Sequence, residues 1–200
     1  MMLLGRTRMA GREYTIFDTG IGRCGIAWGQ GGIVGVQLPE AREIETRKRL
    51  FHLYPDAREM RPPPNVQLAI EAIAALLRGE PRNFSDVDLD MSGIHAFYQR
   101  VYQITRTVPR GETRTYGEIA ARLGASGAAH SVAQAIARNP FVIIVPCHRV
   151  LEAGGYADKI SLHGGTISKR RLLSIEGAGS PSSKTLFDVL LPVAPPRLQG

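Results

Sequence analysis

Residues 116–138 run YGEIAARLGASGAAHSVAQAIAR. Tyr116 to Leu123 has the pattern of one short helix, Gly124-Ala-Ser126 that of a tight turn, and Gly127 to Arg138 that of a second helix. Two helices around a short glycine-bearing turn form the helix-turn-helix pattern, although any compact helical protein contains such corners. The second helix is unusual in composition: Ala128, Ala129, Ala133, Ala135 and Ala137 leave Val132 and Ile136 as its only larger apolar residues. So thin a helix suits close approach, either to a narrow groove or to neighbouring helices of the same protein.

Moving C-terminally, Asn139-Pro140 breaks this helix, Phe141 to Val145 is continuously apolar, and Pro146-Cys147-His148-Arg149 follows at once. Proline fixes φ ahead of the cysteine, which places the thiol at a bend rather than in a regular strand. The bend matters, because in an extended strand successive side chains face opposite ways and His148 could not serve Cys147. An ordinary thiol is only slightly ionised at neutral pH, so a nucleophilic cysteine needs a base or a positive environment. His148 can be that base, directly or through water, and Glu176, just after the helix expected over Thr166 to Ile175, is the best orienting carboxylate in this half. The order Cys, His, Glu resembles the relay logic of hydrolases.

Moving N-terminally, Ile94 to Thr105 reads as a helix ended by Val108-Pro-Arg-Gly111. Before it the chain changes character. Tyr14 to Asp18, Cys24 to Trp28 and Gly32 to Leu38 are β-rich runs separated by glycine turns, expected to form an antiparallel meander. Helices are expected over Ala41 to Tyr54 and Val66 to Leu77, with a short strand plus linker in Asn83 to Asp90. The expectation is an α+β fold: a loose N-terminus over 1–12, an N-terminal sheet-plus-helix domain over 13–92, a mostly helical, winged-helix-like catalytic domain over 93–178, and a proline-containing tail over 179–200.

Two cysteines, Cys24 and Cys147, lie far apart and there is no CxxC, so neither a disulfide scaffold nor a zinc site is expected. Cys24 reads as a core residue. Met1-Met-Leu-Leu4 is cut short by Gly5 and Arg6 and no apolar run is long enough for a span, so a cytoplasmic protein without membrane association is expected. The net charge of +7 is unevenly placed. Residues 1–90 hold 12 basic and 12 acidic side chains, whereas residues 91–180 hold 11 and 5. A basic second half favours a polyanionic partner, since neutralising phosphates releases counterions.

The run Pro146-Cys-His-Arg-Val150 resembles the active-site signature of the O6-alkylguanine-DNA alkyltransferases, the methylated-DNA-protein-cysteine methyltransferases. The resemblance extends over Phe97-Tyr-Gln-Arg-Val101, Pro109 to Glu118, Gln134 to Pro140 and Lys169-Arg-Arg-Leu-Leu-Ser-Ile-Glu-Gly177, nearly all of residues 94–178. It implies DNA repair by single-turnover transfer of an alkyl group from O6-alkylguanine, and from O4-alkylthymine as a further substrate, to Cys147. By the same resemblance His148 is a water-linked base, Glu176 orients it, and Asn139 hydrogen-bonds near the turn. Tyr116, Val150 and Ser161 would contact the substrate base. Ala128, Ala129, His130, Arg138 and Arg149 would face DNA. The implied partner is double-stranded DNA bound through its minor groove with the damaged nucleotide flipped out, by a monomer needing no cofactor.

Two departures stand out. His130 occupies the place where the family usually has an arginine that fills the gap left by the flipped base, which implies weaker extrusion. Tyr156-Ala-Asp-Lys-Ile160 replaces a more glycine-rich loop, and counting back from Lys169 selects His163 instead of Ser161 as the residue near the alkylated oxygen. Three readings compete with a transferase: a damage-binding sensor or regulator with weak or no transfer, a helix-turn-helix regulator with a structural cysteine, and a cysteine hydrolase. Relatives of the sensor kind lack the acceptor cysteine, so Cys147 argues against the first. The other two leave the matched segments unexplained.

Overall fold

The computed structural model describes residues 11–153 and 165–178. Most of the expected loose N-terminus, the C-terminal tail and both candidate loop residues, Ser161 and His163, lie outside the described residues. The fold is α+β, with an N-terminal sheet carrying two helices and a helical second half.

Strands β1 (Glu13–Thr19), β2 (Gly22–Gly29) and β3 (Gly32–Gln37) form the expected antiparallel meander. Each hairpin has a two-residue loop, Gly20-Ile21 and Gln30-Gly31, and the residue after each loop is a glycine with positive φ, Gly22 and Gly32. A two-residue strand β4 (Arg58–Glu59) adds in parallel beside β1, giving the order β3-β2-β1-β4. Helix α1 (Glu43–Leu53) packs on β2 and β3, and α2 (Pro64–Leu77) starts on a proline at its first position, where no backbone donor is needed. The stretch Asn83 to Asp90, expected to hold a short strand, makes only a one-residue bridge between Leu89 and Ile33. It is clamped by Ile33 N donating to Asp88 O and Asp90 N donating to Ile33 O, and Ser85 and Asp86 turn the chain before a ladder can extend.

The second half contains α3 (Ala96–Arg106), β5 (Arg114–Thr115), α4 (Tyr116–Arg122), α5 (Ala129–Ala137), a 3₁₀ turn at Cys147–Arg149, β6 (Val150–Leu151) and α6 (Gly165–Glu176). Thr115 and Glu118 form a reciprocal capping box at the start of α4. Its end is a Schellman closure: Ala125 N donates to Ala120 O, Gly124 N donates to Ala121 O, and Gly124 takes φ +71°. That closure makes the corner longer than the expected turn, and α5 begins at Ala129 instead of Gly127. Helix α5 buries Val132, Ala133, Ala135 and Ile136 and leaves His130, Ser131, Gln134 and the following Arg138 exposed. Its alanines therefore serve both readings of the sequence, with one set packed and another at the surface.

The apolar core is continuous across the expected boundary near residue 92. Ile26, Val36 and Ile73 from the first half share one cluster with Val101, Ile119, Ile136 and Phe141 from the second. Strand β3 reaches the segment ahead of the cysteine: Val36 N donates to Pro140 O at 2.8 Å. Gly35 is required there, because a Cβ would lie 2.1 Å from the Tyr54 hydroxyl and 3.3 Å from Pro140 O.

Candidate active site

The apolar run Phe141 to Val145 is not a strand. Val145 N donates back to Phe141 O at 2.8 Å, and Ile143 takes φ +77°. A β-branched residue in that region is strained by roughly 1–2 kcal/mol, and burial of the whole run holds it there. Asn139 locks the loop from inside: its Nδ2 donates to Val145 O at 3.0 Å and its Oδ1 accepts from Phe141 N at 2.9 Å. Pro146 then turns the chain into the 3₁₀ segment, so Cys147 sits on the expected bend.

Cys147 is fully buried. Burial pushes its thiol up to about 11, against the opposing pull of the Asn139 side chain and the Lys169 ammonium. At neutral pH it rests as a neutral thiol. His148 is equally buried, and desolvation outweighs the pull of Glu176, so its pKa is lowered and the resting imidazole is neutral. Nε2 of His148 lies 3.0 Å from Oε1 of Glu176. A carboxylate can only accept, so Nε2 carries the proton and Nδ1 keeps the lone pair. Nδ1 is buried and without a hydrogen-bond partner among the described residues.

Glu176 stands at the end of α6, where Ala178 N donating to Leu173 O and Gly177 N donating to Ser174 O close the helix. The negative end of a helix dipole disfavours a carboxylate. Arg149 offsets this by donating from Nε to Oε2 at 2.8 Å and from Nη2 to Oε1 at 2.7 Å, a bidentate pair in the interior. Burial raises the Glu176 carboxyl, yet the bonds from His148 and Arg149 together win and hold it below the ordinary value. Because His148 rests neutral, Arg149 is the charge that balances Glu176. The third donor of Arg149, Nη1, bonds Val108 O at 2.6 Å. Arg149 was expected to face DNA; its side chain is instead buried and held by three hydrogen bonds, because the carboxylate that fixes His148 has a second oxygen to satisfy.

Tyr116 comes to the site through the parallel pairing of β5 with β6, which sets Arg114 against Val150 and Thr115 against Leu151. It is the first residue of α4 and is buried. The Val150 carbonyl already accepts from Lys169 Nζ at 2.6 Å, and the Cys147 carbonyl from Val150 N. Each keeps a second lone pair. Lys169 is a participant that the sequence did not single out. It is buried on α6, its ammonium lies 5.8 Å from the centre of the Tyr116 ring, and its charge is felt at Cys147. The spacing Lys169, Leu172, Leu173, Glu176 repeats at helical intervals on the buried side of α6, a signal that places both charged residues inside.

The remaining expected residues lie on or beside α5, away from this cluster of bonds. Ala128 and Ala129 are half-buried at its start, and His130 is exposed with Nε2 3.0 Å from the Gln134 amide nitrogen, which donates to it. Arg138 is exposed and donates to the Tyr98 hydroxyl at 3.3 Å. Among the described residues no group of acidic, histidine and cysteine side chains could hold a metal ion, and no helix is long and apolar enough to cross a membrane.

Residues 96–178 match the family described as 6-O-methylguanine DNA methyltransferase, DNA binding domain. The methylated-DNA--protein-cysteine methyltransferase of Mycolicibacterium paratuberculosis is 46% identical over 121 residues, covering 60% of this chain and 70% of the relative. Among solved structures, the Mycobacterium tuberculosis O6-methylguanine methyltransferase is 37% identical with a TM-score of 0.66, over 88% of this chain and 99% of that one. A structure of the Mycobacterium tuberculosis OGT in complex with DNA is 36% identical with a TM-score of 0.64, over 85% and 96%. With Cys147, His148 and the buried carboxylate of Glu176 assembled within the matched region, the chain belongs to the methylated-DNA-protein-cysteine methyltransferase family.

Proposed function

We propose that this protein repairs DNA by moving an alkyl group from O6-alkylguanine onto Cys147, once per molecule. The observation that carries the assignment is the buried series Cys147, His148, Glu176, in which Glu176 fixes the imidazole so that Nδ1 is free to accept a proton. No hydrogen bond joins Cys147 Sγ to the His148 ring among the described residues, so the thiol proton reaches Nδ1 through an intervening water. The resulting imidazolium is stabilised by Glu176. The thiolate attacks the alkyl carbon in line, a C–S bond forms, the C–O6 bond breaks with its electron pair left on the guanine oxygen, and a proton restores neutral guanine. The thioether has no route back to a thiol, so turnover ends there.

A stacked base cannot reach a sulfur that is fully buried, so the damaged nucleotide must leave the helix. The thin side of α5, with half-buried Ala128 and Ala129 and exposed His130 and Arg138, is the surface we assign to the minor groove, about 6 Å wide. Tyr116 and the carbonyls of Cys147 and Val150 line the way to the thiol. One-to-one chemistry needs only a monomer. His130, shorter than an arginine and held to Gln134, makes a weak wedge.

Incubation with duplex carrying O6-methylguanine, followed by proteolysis and mass spectrometry, tests the assignment. Addition of a methyl group to the peptide containing Cys147, absent in Cys147→Ala, is expected. An unmodified peptide at stoichiometric DNA, with binding retained, would make the protein a damage sensor. Affinity should also fall steeply with salt if phosphates supply it.

A further inference from the structure

A cleft of about 620 Å³ opens on the other side of the acceptor loop, between the connector around Arg82 to Ser85, the last turn of α3 and Val108 to Arg110. Four arginines line it, Arg82, Arg106, Arg110 and Arg149, and among the described residues no acidic one does. No residue of α4 or α5 belongs to it, so it is separate from the surface assigned to the damaged duplex. A smaller recess continues from it toward Ile143 and Pro146.

Two of these arginines have carboxylate partners: Arg82 with Glu80 at 2.6 Å and Arg149 with Glu176 at 2.7 Å. Among the described residues the other two bond to backbone carbonyls alone. Arg106 uses Nη2 on the carbonyls of Phe84, Ser85 and Val87. Arg110 uses Nη2 on the carbonyls of Gly79 and Ile175. The nearest acids to Arg106 are Asp86 and Asp88, which act on it through space without a hydrogen bond, and Asp86 is engaged by the Ser85 hydroxyl. Nε of Arg110 is buried with no partner among the described residues. A buried donor left unbonded is costly, so it favours an acceptor beside it. The described lining therefore offers more side-chain donors than acceptors, and its size is that of a small-molecule site.

We propose that this cleft is a second anion site that binds a phosphate group between Arg106 and Arg110, with Arg82 at its mouth. Guanidinium N–H groups make strong charge-assisted bonds to phosphate oxygens, and both central arginines are held in place through Nη2, leaving Nε and Nη1 as separate single donors for a ligand. The phosphate comes either from a free phosphate or phosphomonoester, or from the backbone of a second stretch of nucleic acid.

The test is a titration of the full-length ¹⁵N-labelled protein with inorganic phosphate, following the arginine Nε–H signals by NMR at constant ionic strength, with chloride as control. Saturable shifts of the Arg106 and Arg110 signals are expected, weakened about tenfold or more in Arg106→Gln and in Arg82→Glu. Arg82 is half exposed and outside the core, so its variant keeps the test valid if Arg106→Gln does not fold. Adding undamaged duplex then separates the sources. Loss of the bound-phosphate shifts assigns the site to backbone phosphates, and their persistence assigns it to a free phosphate; either supports the proposal. Shifts that never saturate, an equal response to chloride, or unchanged affinity in Arg82→Glu would overturn it.

Discussion

Nε2 of His148 and Oε1 of Glu176 lie 3.0 Å apart in the interior, so the protonation of one ring nitrogen is dictated by a helix that begins well after the acceptor loop. Replacing Glu176 by glutamine keeps the length of the side chain and removes the charge that stabilises the imidazolium. Single-turnover transfer from a methylated oligonucleotide should slow by about 10²- to 10⁴-fold in Glu176→Gln and in His148→Ala. Because the two act as one unit, the double variant should be no slower than the worse single one. Rates in Glu176→Gln equal to the wild type would remove the carboxylate from the mechanism.

Arg149 balances Glu176 with two hydrogen bonds and reaches Val108 O with a third donor. Arg149→Met should lower stability by about 3–5 kcal/mol in urea unfolding, with Arg149→Lys in between. The acid limb should change too. Glu176 has its pKa lowered from 4.5 and His148 from 6.5, so on acidification the unfolded chain takes up protons first. Stability present above these ordinary values is lost as pH falls through them. In Arg149→Met the Glu176 share of that loss should shrink, giving a shallower fall below pH about 4.5.

The free thiol is guarded by burial. With Cys147 pushed up to about 11 from an ordinary 9.0, its reaction with iodoacetamide should rise toward a midpoint near that higher value in the native protein. Lys169→Met should move the midpoint upward, because it removes the nearby positive charge. Cys24, pushed up to about 12 chiefly by burial, is best removed as Cys24→Ser for this measurement. A midpoint at the ordinary thiol value would mean that the site opens to water far more than the structure shows.

Cys147 has no exposed surface, and the loop around it is packed and strained at Ile143. A methyl group on sulfur must find volume that is already filled, a change of the kind that costs about 1–3 kcal/mol. The alkylated protein, prepared with one equivalent of damaged duplex and freed of DNA, should melt below the unmodified protein in calorimetry. An equal or higher midpoint would mean that the loop repacks without cost.

The meander, both helices of the first half and the helix-turn-helix were legible because their signals are local: glycine turns, alternating β-branched residues and apolar spacing. Cys147, His148 and Glu176 were legible as chemistry, since a thiol after a proline needs a base and the base needs a partner. Arg149 was not. An arginine beside a reactive cysteine looks like a phosphate ligand until the second oxygen of Glu176 is seen to require it. Lys169 was passed over because lysine on a helix is usually exposed, although its spacing to Leu172 and Leu173 marked the buried side. Strands β4, β5 and β6, two residues each, exist only through tertiary pairing, and no local pattern encodes them. The start of α5 shifted because the closure at Gly124 and Ala125 was not anticipated.

One guanidinium ties the halves together. Arg110 donates from Nη2 to Gly79 O, just past the end of α2, and to Ile175 O, one residue before Glu176. Among its described residues the sheet half supplies no reacting group, yet its second helix packs on α6 and shares this guanidinium with the end of the helix that carries Glu176. Opening of the first half would loosen the end of α6 in the same event, so the two should exchange their amide hydrogens as one cooperative unit. The lifetime of the His148–Glu176 pair is thus set partly by the sheet half of the chain.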